Sequence, residues 1–311
     1  MQKRKLGQSD LFVSKLGLGC MSLGTEDEKA KNIIKTAWEE GINYFDTADL
    51  YHFGVNESIV GKTLKSVRDQ VIIATKVGNR WEEGKDGWYW DPSKQYIKEA
   101  VKKSLQRLQT DYIDLYQLHG GTIDDPIDDV IEAFEDLKSE GLIKEYGISS
   151  IRPNVIQEYA AKSSIVSVMM QYSLLDRRPE TILPLLTEHH ISVVARGSVA
   201  KGLLTDRMLA NISQHTSKIN IDAYLDYSPQ QVIEVLESIL HKLLINRQRT
   251  MTEIALQFNL ANEGIAAVVA GASTIAQVKE NVRAVEAPSL TREEYKVLSD
   301  ITKKNIYTQH C

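Results

Sequence analysis

Cysteine is almost missing from this chain: 2 among 311 residues, Cys20 near the start and Cys311 at the end. That excludes a disulfide framework and fits a reducing compartment, so the chain is expected to be cytoplasmic and to rest on a hydrophobic core. No Cys/His spacing suggests a metal site, and the adjacent His189-His190 reads as structural. Blocks of one charge are absent too. The 37 Lys and Arg are interspersed with 42 Asp and Glu, for a net charge of −5, which leaves no basic face for a nucleic-acid backbone. No run approaches the roughly 20 apolar residues of a membrane span. The first fifteen residues carry Lys3, Arg4, Lys5, Asp10 and Lys15 rather than the apolar stretch of a secretion signal. Low-complexity linkers are missing, and so is the Gly-x-Gly-x-x-Gly fingerprint, which argues against a Rossmann dinucleotide fold. The expected partner is therefore a small molecule, with neither nucleic acid nor membrane, in a monomer or weak homo-oligomer.

What is present is an alternation of two periods. Short β-rich runs occur at Lys15–Gly19, Tyr44–Asp46, Val71–Lys76, Tyr112–His119, Glu145–Ser149, Val166–Gln171, Ser192–Arg196 and Ala267–Gly271. Between them lie amphipathic stretches: Ile97, Val101, Leu105 and Leu108 share one helical face, and Ile127, Val130, Ile131, Phe134 and Leu137 share another. Asp91-Pro92, Asp125-Pro126 and Arg152-Pro153 mark helix starts, while Gly41 and Gly141 sit where C-terminal caps belong. Eight such units in one domain over 1–311 predict parallel βα architecture, either an open sheet or a closed barrel. The seventh and eighth runs are too far apart for one helix. The intervening segment predicts helices at Gln231–Lys242 and Thr252–Asn262 and a long loop over about 200–228. A helix and tail are expected over about 290–311.

In a closed barrel the chemistry gathers where strands end, so polar residues that close apolar runs are the candidates. Asp46 and Lys76 end two successive runs, His119 ends the next, and Tyr51 lies five residues past Asp46. Singly, each has an ordinary structural reading as a cap, a packing ring or a solvated charge. Together they describe a proton donor. A free phenol, with a pKa near 10, is too weak an acid at neutral pH. Lys76 is expected to lower that value, Asp46 to hold the lysine charged, and His119 to orient a carbonyl. Hydride addition to a carbonyl needs such a set. A strand-end Lys76 acting as a Schiff-base nucleophile, as in an aldolase, is a second possibility.

Six segments in order carry a family resemblance: Leu16-Gly17-Leu18-Gly19-Cys20-Met21, Phe45-Asp46-Thr47-Ala48-Asp49-Leu50-Tyr51, Ile73-Ala74-Thr75-Lys76, Asp114-Leu115-Tyr116-Gln117-Leu118-His119, Gly147-Ile148-Ser149-Ser150, and Gly271-Ala272-Ser273-Thr274 followed by Gln277, Glu280 and Asn281. Over essentially its whole length the sequence resembles the aldo-keto reductases, most of all the bacterial and potassium-channel-β-subunit-like branch. The resemblance implies a single (β/α)₈ TIM barrel and an oxidoreductase that reduces aldehydes and ketones with NADPH, NADH not being excluded. It implies Tyr51 as general acid among Asp46, Lys76 and His119. Ser149 and Gln171 are implied to hold the nicotinamide carboxamide, and Ser273, Gln277, Glu280 and Asn281 the adenosine end, at a helix start whose free N–H groups suit a phosphate. Gly19, Met21, Asp46, Ser150, Arg196, Ser198, Gly202, Leu203, Arg207 and Gly271 complete the implied cofactor site. The channel-subunit relatives also suggest a slow-turnover, NADPH-binding redox sensor as an alternative.

Two positions depart from the family pattern. Arg196 stands where many relatives stack an aromatic ring on the nicotinamide, although a planar guanidinium also lies against rings. Ser273 stands where a basic residue often meets the 2′-phosphate, which shifts that task to Arg207 or, less well matched, Lys201. Trp81, Trp88, Tyr89 and Trp90 fall within ten residues after Lys76. With Met21 and His52, Trp81 and Trp88 are expected to wall an aromatic substrate pocket.

Overall fold

Each expected apolar run forms a strand. In the computed structural model, which describes residues 1–213, 222–244 and 249–310, the strands are β1 (Leu16–Gly19), β2 (Tyr44–Asp46), β3 (Ile72–Val77), β4 (Ile113–Leu118), β5 (Ile143–Ser149), β6 (Ser167–Gln171), β7 (Ser192–Arg196) and β8 (Ile265–Gly271). Strands adjacent in sequence pair in parallel, and β8 pairs with β1, Val268 opposite Leu16 and Gly271 opposite Gly19. That last ladder decides for a closed barrel over an open sheet.

The strand period of two then sorts side chains between two compartments. Tyr44 on β2, Ile72 and Ala74 on β3, Leu115 on β4, Met169 on β6 and Val269 on β8 fill the interior. Phe45, Ile73 and Val77 face outward, in the apolar layer under the helices. Asp46 and Lys76 fall in register with the inward set, at the C-terminal mouth. The opposite mouth is closed by an antiparallel hairpin, Lys3–Lys5 with Phe12–Ser14, whose Leu6, Leu11 and Val13 join the interior cluster.

The outer layer comprises α1 (Asp27–Glu39), α2 (Val55–Leu64), α3 (Lys94–Leu108), α4 (Ile127–Ser139), α5 (Pro153–Lys162), α6 (Leu183–Glu188), α7 (Asp206–Ser213), α8 (Pro229–Ile239), α9 (Met251–Leu260), α10 (Ile275–Glu286) and α11 (Arg292–Ile301). Gly41 and Gly141 take positive φ after α1 and α4, at 89° and 74°, as the caps require. Among the described residues no helix is long and apolar enough to cross a membrane. α2 meets α3 at very short range. A Cβ on Gly61 would lie 2.3 Å from the Leu108 carbonyl oxygen, so Gly61→Ala is expected to destabilise the protein by about 1–3 kcal/mol through overpacking. An unchanged urea midpoint would contradict that contact.

The expected loop over about 200–228 is partly helix. Asp206–Ser213 forms α7, where Leu209 and Ile212 are the apolar positions buried among the described residues, too few to make a legible period. Tyr224 and Tyr227 exchange backbone hydrogen bonds farther on, at 3.0 and 2.9 Å. Residues 214–221 of that expected loop lie outside the described residues. α8 and α9 begin earlier than their apolar periods suggest, because Ser228 with Gln231 and Thr250 with Glu253 form capping boxes. The Trp-rich segment after β3 contains a small hairpin, Asn79–Arg80 with Tyr89–Trp90.

Candidate active site

β2 delivers Asp46 to the barrel mouth, and the chain then turns back sharply. His52, Phe53 and Gly54 all have positive φ, 49°, 50° and 85°, and this left-handed turn leaves the Tyr51 hydroxyl near Lys76 of β3. The Lys76 ammonium is 1% exposed and donates to three oxygens: Asp46 Oδ2 at 2.7 Å, the Thr47 carbonyl at 2.7 Å and Tyr51 Oη at 3.4 Å. An ammonium has three N–H groups, and all three are engaged. Gln117 Nε2 reaches the other Asp46 oxygen at 3.5 Å. His119, just past β4, stands edge-on to the Tyr51 ring with centroids 5.9 Å apart, and its Nδ1 is buried with no hydrogen-bond partner among the described residues. The four residues that the sequence singles out, from three successive βα units, thus meet at one point.

Electrostatics assigns the protons. Burial opposes the charge on Lys76, but Asp46 and Tyr51 outweigh it and hold the ammonium above its ordinary value. A lysine so held is a poor Schiff-base nucleophile, since that chemistry needs a neutral amine. Burial pushes the Tyr51 phenol up, Lys76 pulls it down and Asp46 pushes it up again, leaving it above its usual value. The expectation of a phenol more acidic than usual is therefore not met in this structure, because desolvation outweighs the lysine. The proton stays on Tyr51. Burial, aided by Lys76 and Arg196, pushes His119 down to about 3, so the imidazole is a neutral donor at physiological pH.

That depression has a stability consequence with a definite sign. Between the ordinary value of 6.5 and about 3, the unfolded chain binds a proton at His119 that the native chain does not. Native stability therefore falls as pH falls through that window. His119→Asn should show a shallower loss of stability there, measured by urea midpoints. Equal pH slopes in the two proteins would mean that the native imidazole titrates normally.

The cluster of Asp46, Tyr51, Lys76 and His119 opens into a cavity of about 860 Å³. Gly19, Met21, Trp88, Ser149, Ser150, Met169, Arg196 and Val269 line it. So do Arg152, Arg178 and the C-terminal segment Ile306–His310, which the sequence alone does not single out. The segment is tied down at both ends: Asn305 Nδ2 donates to the Leu175 carbonyl at 3.2 Å, and the His310 carbonyl accepts from Asn154 N–H at 2.8 Å.

With the barrel and this cluster established, comparison with known proteins is informative: residues 15–303 match the Aldo/keto reductase family. The chain belongs to that family. It is 58% identical over 310 residues to the uncharacterized oxidoreductase YqkF of Bacillus subtilis, covering 100% of this chain and 99% of that one. It matches the holo form of the aldo-keto reductase AKR11C1 from Bacillus halodurans with a TM-score of 0.93 at 58% identity, covering 100% and 99% of the two chains. It is also 33% identical to the NADH-specific methylglyoxal reductase of Escherichia coli, covering 92% of this chain and 94% of that one. The chain is thus an aldo-keto reductase oxidoreductase, of a family that uses nicotinamide cofactors.

The residues implied to hold this aldo-keto reductase's cofactor fall into two groups. Gly19, Met21, Asp46, Ser149, Ser150, Arg196 and Gly271 converge on the cavity. Gln171, at the end of β6, accepts from Arg196 Nη1 at 3.3 Å and donates to Tyr224 Oη at 3.1 Å. The others lie toward β7 and β8, outside the cavity lining. There Ser198 Oγ accepts from Asn259 Nδ2 at 2.6 Å, and Gly202 and Leu203 belong to the turn before α7. Ser273 N–H is taken by the Gln277 side chain at 2.8 Å, and Glu280 accepts from Thr252 Oγ1 at 2.9 Å. Asn281 lies on α10, and Arg207 is exposed on α7.

The four residues expected to wall the substrate pocket also divide. Met21 and Trp88 line the cavity. His52 is exposed in the left-handed turn. Trp81 packs edge-on against Phe53 at 5.6 Å and donates to the Asp49 carbonyl at 3.1 Å, which makes it a brace for the Tyr51 turn.

Proposed function

We propose that this chain reduces aldehydes and ketones to alcohols, with NADPH preferred to NADH and Tyr51 as general acid. The observation that carries this reading is the Tyr51 hydroxyl 3.4 Å from an ammonium that Asp46 and the Thr47 carbonyl clamp in place. When bound, the reduced nicotinamide supplies a hydride to the carbonyl carbon. The carbonyl oxygen then gains negative charge, and Tyr51 Oη holds the proton it needs. Because desolvation keeps the phenol protonated, that proton is retained until the substrate oxygen becomes basic. The phenolate left behind lies beside the Lys76 ammonium, which stabilises it. Neutral His119 offers an N–H to hold the carbonyl oxygen toward Tyr51. Met169, Val269 and Leu50 supply apolar walls that keep bulk water from competing for the proton.

The cavity suits a flat nicotinamide. Gly19 and Gly271 face each other across the β8–β1 ladder, and bare backbone forms the wall there; a Cβ on Gly271 would lie 2.6 Å from Ser22 Oγ. Ser149 and Gln171 end adjacent strands and would hold the carboxamide, and the Arg196 guanidinium would lie along the ring or meet a phosphate. Arg207 and Lys201 supply the exposed positive charge after β7 that a 2′-phosphate needs. This preference is the point on which the E. coli relative, named for NADH, stands apart. Initial rates of cofactor oxidation with an aldehyde panel, NADPH and NADH side by side, test both parts. Faster turnover with NADH overturns the preference; oxidation of neither overturns the reductase.

A further inference from the structure

The cavity is unevenly charged. Among the described residues, four cationic side chains line it, Lys76, Arg152, Arg178 and Arg196, against the one side-chain carboxylate of Asp46. Two of the four are neutralised, Lys76 by Asp46 at 2.7 Å and Arg178 by both oxygens of buried Asp176 at 2.7 and 2.8 Å. Arg152 and Arg196 pair with no carboxylate among the described residues. A chain of net charge −5 thus presents to the inside of this cavity two guanidinium groups that are in no salt bridge among the described residues.

The two arginines come from different βα units. Arg196, at the end of β7, bonds Gln171 and stands among the residues assigned above to the cofactor. Arg152 precedes α5, beyond Ser149 and Ser150, and lines the cavity together with residues of the loop after β4 and of the segment Ile306–His310. Its Nη1 donates to the Gly121 carbonyl, which uses one of five N–H groups. The remaining ones have no protein acceptor among the described residues. Of the two acids in the neighbouring loop, Asp124 is exposed and Asp125 is committed elsewhere: it accepts from Thr122 N–H at 2.7 Å, Thr122 Oγ1 at 2.9 Å and Trp90 Nε1 at 2.9 Å.

We infer that Arg152 is the anion-recognising residue of the substrate pocket, and that the substrate is a carbonyl compound bearing a carboxylate. The inference rests on the reductase reading above and adds the substrate class. A planar guanidinium fork matches a carboxylate edge, and such charge-assisted bonds are about twice as strong as neutral ones. Met21, Leu50 and Trp88, which line the same cavity as Arg152 and Tyr51, offer apolar contact for the carbon body.

The test uses para-formylbenzoate and its methyl ester, which differ in charge at the end remote from the aldehyde. Steady-state reduction by the full chain with NADPH is compared for wild type, Arg152→Met and Arg152→Lys. Benzoate is titrated against the same three proteins with NADP⁺ present, read by tryptophan fluorescence because Trp88 lines the cavity. Wild type is expected to favour the acid over the ester by about tenfold or more in kcat/KM. Arg152→Met should erase that ratio and weaken benzoate binding about tenfold, with Arg152→Lys restoring part of both. An ester reduced at least as well as the acid by wild type overturns the substrate class and leaves the reductase standing. If neither aldehyde turns over, the reductase reading fails and the titration decides: equal benzoate affinity in wild type and Arg152→Met overturns the anion site, and loss in the variant alone supports it.

Discussion

Tyr51→Phe lowers kcat for aldehyde reduction by about 10²- to 10⁴-fold, the usual contribution of a positioned general acid. The substitution removes one oxygen and keeps the ring, so the edge-on contact with His119 at 5.9 Å is retained. Only the proton source and the third acceptor of Lys76 are lost. Cofactor affinity, read by fluorescence titration, should therefore survive while turnover collapses. A phenylalanine variant that reduces aldehydes at wild-type rate would mean that the proton comes from His119 or water, and the mechanism proposed here would be wrong.

Lys76→Met is expected to damage stability as well as turnover. Asp46 is 4% exposed and owes its charge to Lys76 at 2.7 Å. Removing one partner of a buried pair leaves an uncompensated ion, at a cost of about 3–5 kcal/mol. Burial already pushes the Asp46 carboxyl up, and Lys76 is the chief force opposing it. Without the lysine the carboxyl takes up a proton more readily than in the unfolded chain, so the deficit shrinks as pH falls. Adding Asp46→Asn should recover part of the loss at neutral pH, since the variant then buries a neutral amide. Urea unfolding of both single variants and the double variant gives the coupling. A Lys76→Met protein as stable as wild type would show that the ion pair is not held as tightly as its geometry indicates.

The candidate site was legible to the extent that its residues sit on regular structure. Asp46 and Lys76 close strands, and the period of two that buries Tyr44 and Ala74 carries them to the same inner face. His119 follows from the same rule on the next strand. Trp81 and His52 were less legible, because they lie in loops where a local turn decides direction. Three successive positive φ values after Tyr51 point His52 outward, and the Asp49 carbonyl draws Trp81 under the turn. α7 is not legible in the sequence because, among its described positions, Leu209 and Ile212 alone are buried. The direction of the Tyr51 shift is not legible in the sequence for a different reason: proximity to a lysine can be inferred from sequence, whereas the degree of desolvation depends on everything packed around the phenol.

By itself the sequence determined the order of eight βα units, the inward register of Asp46 and Lys76, and the family to which the motifs belong. Each of these follows from short-range periods and spacings that a linear chain displays directly. Only the tertiary structure decided that β8 closes onto β1, that the segment Ile306–His310 returns across the mouth, and that Arg152 shares a cavity with Tyr51. Those relations join residues far apart in the chain, and no local pattern of hydrophobic and polar positions specifies which distant side chains will be desolvated together.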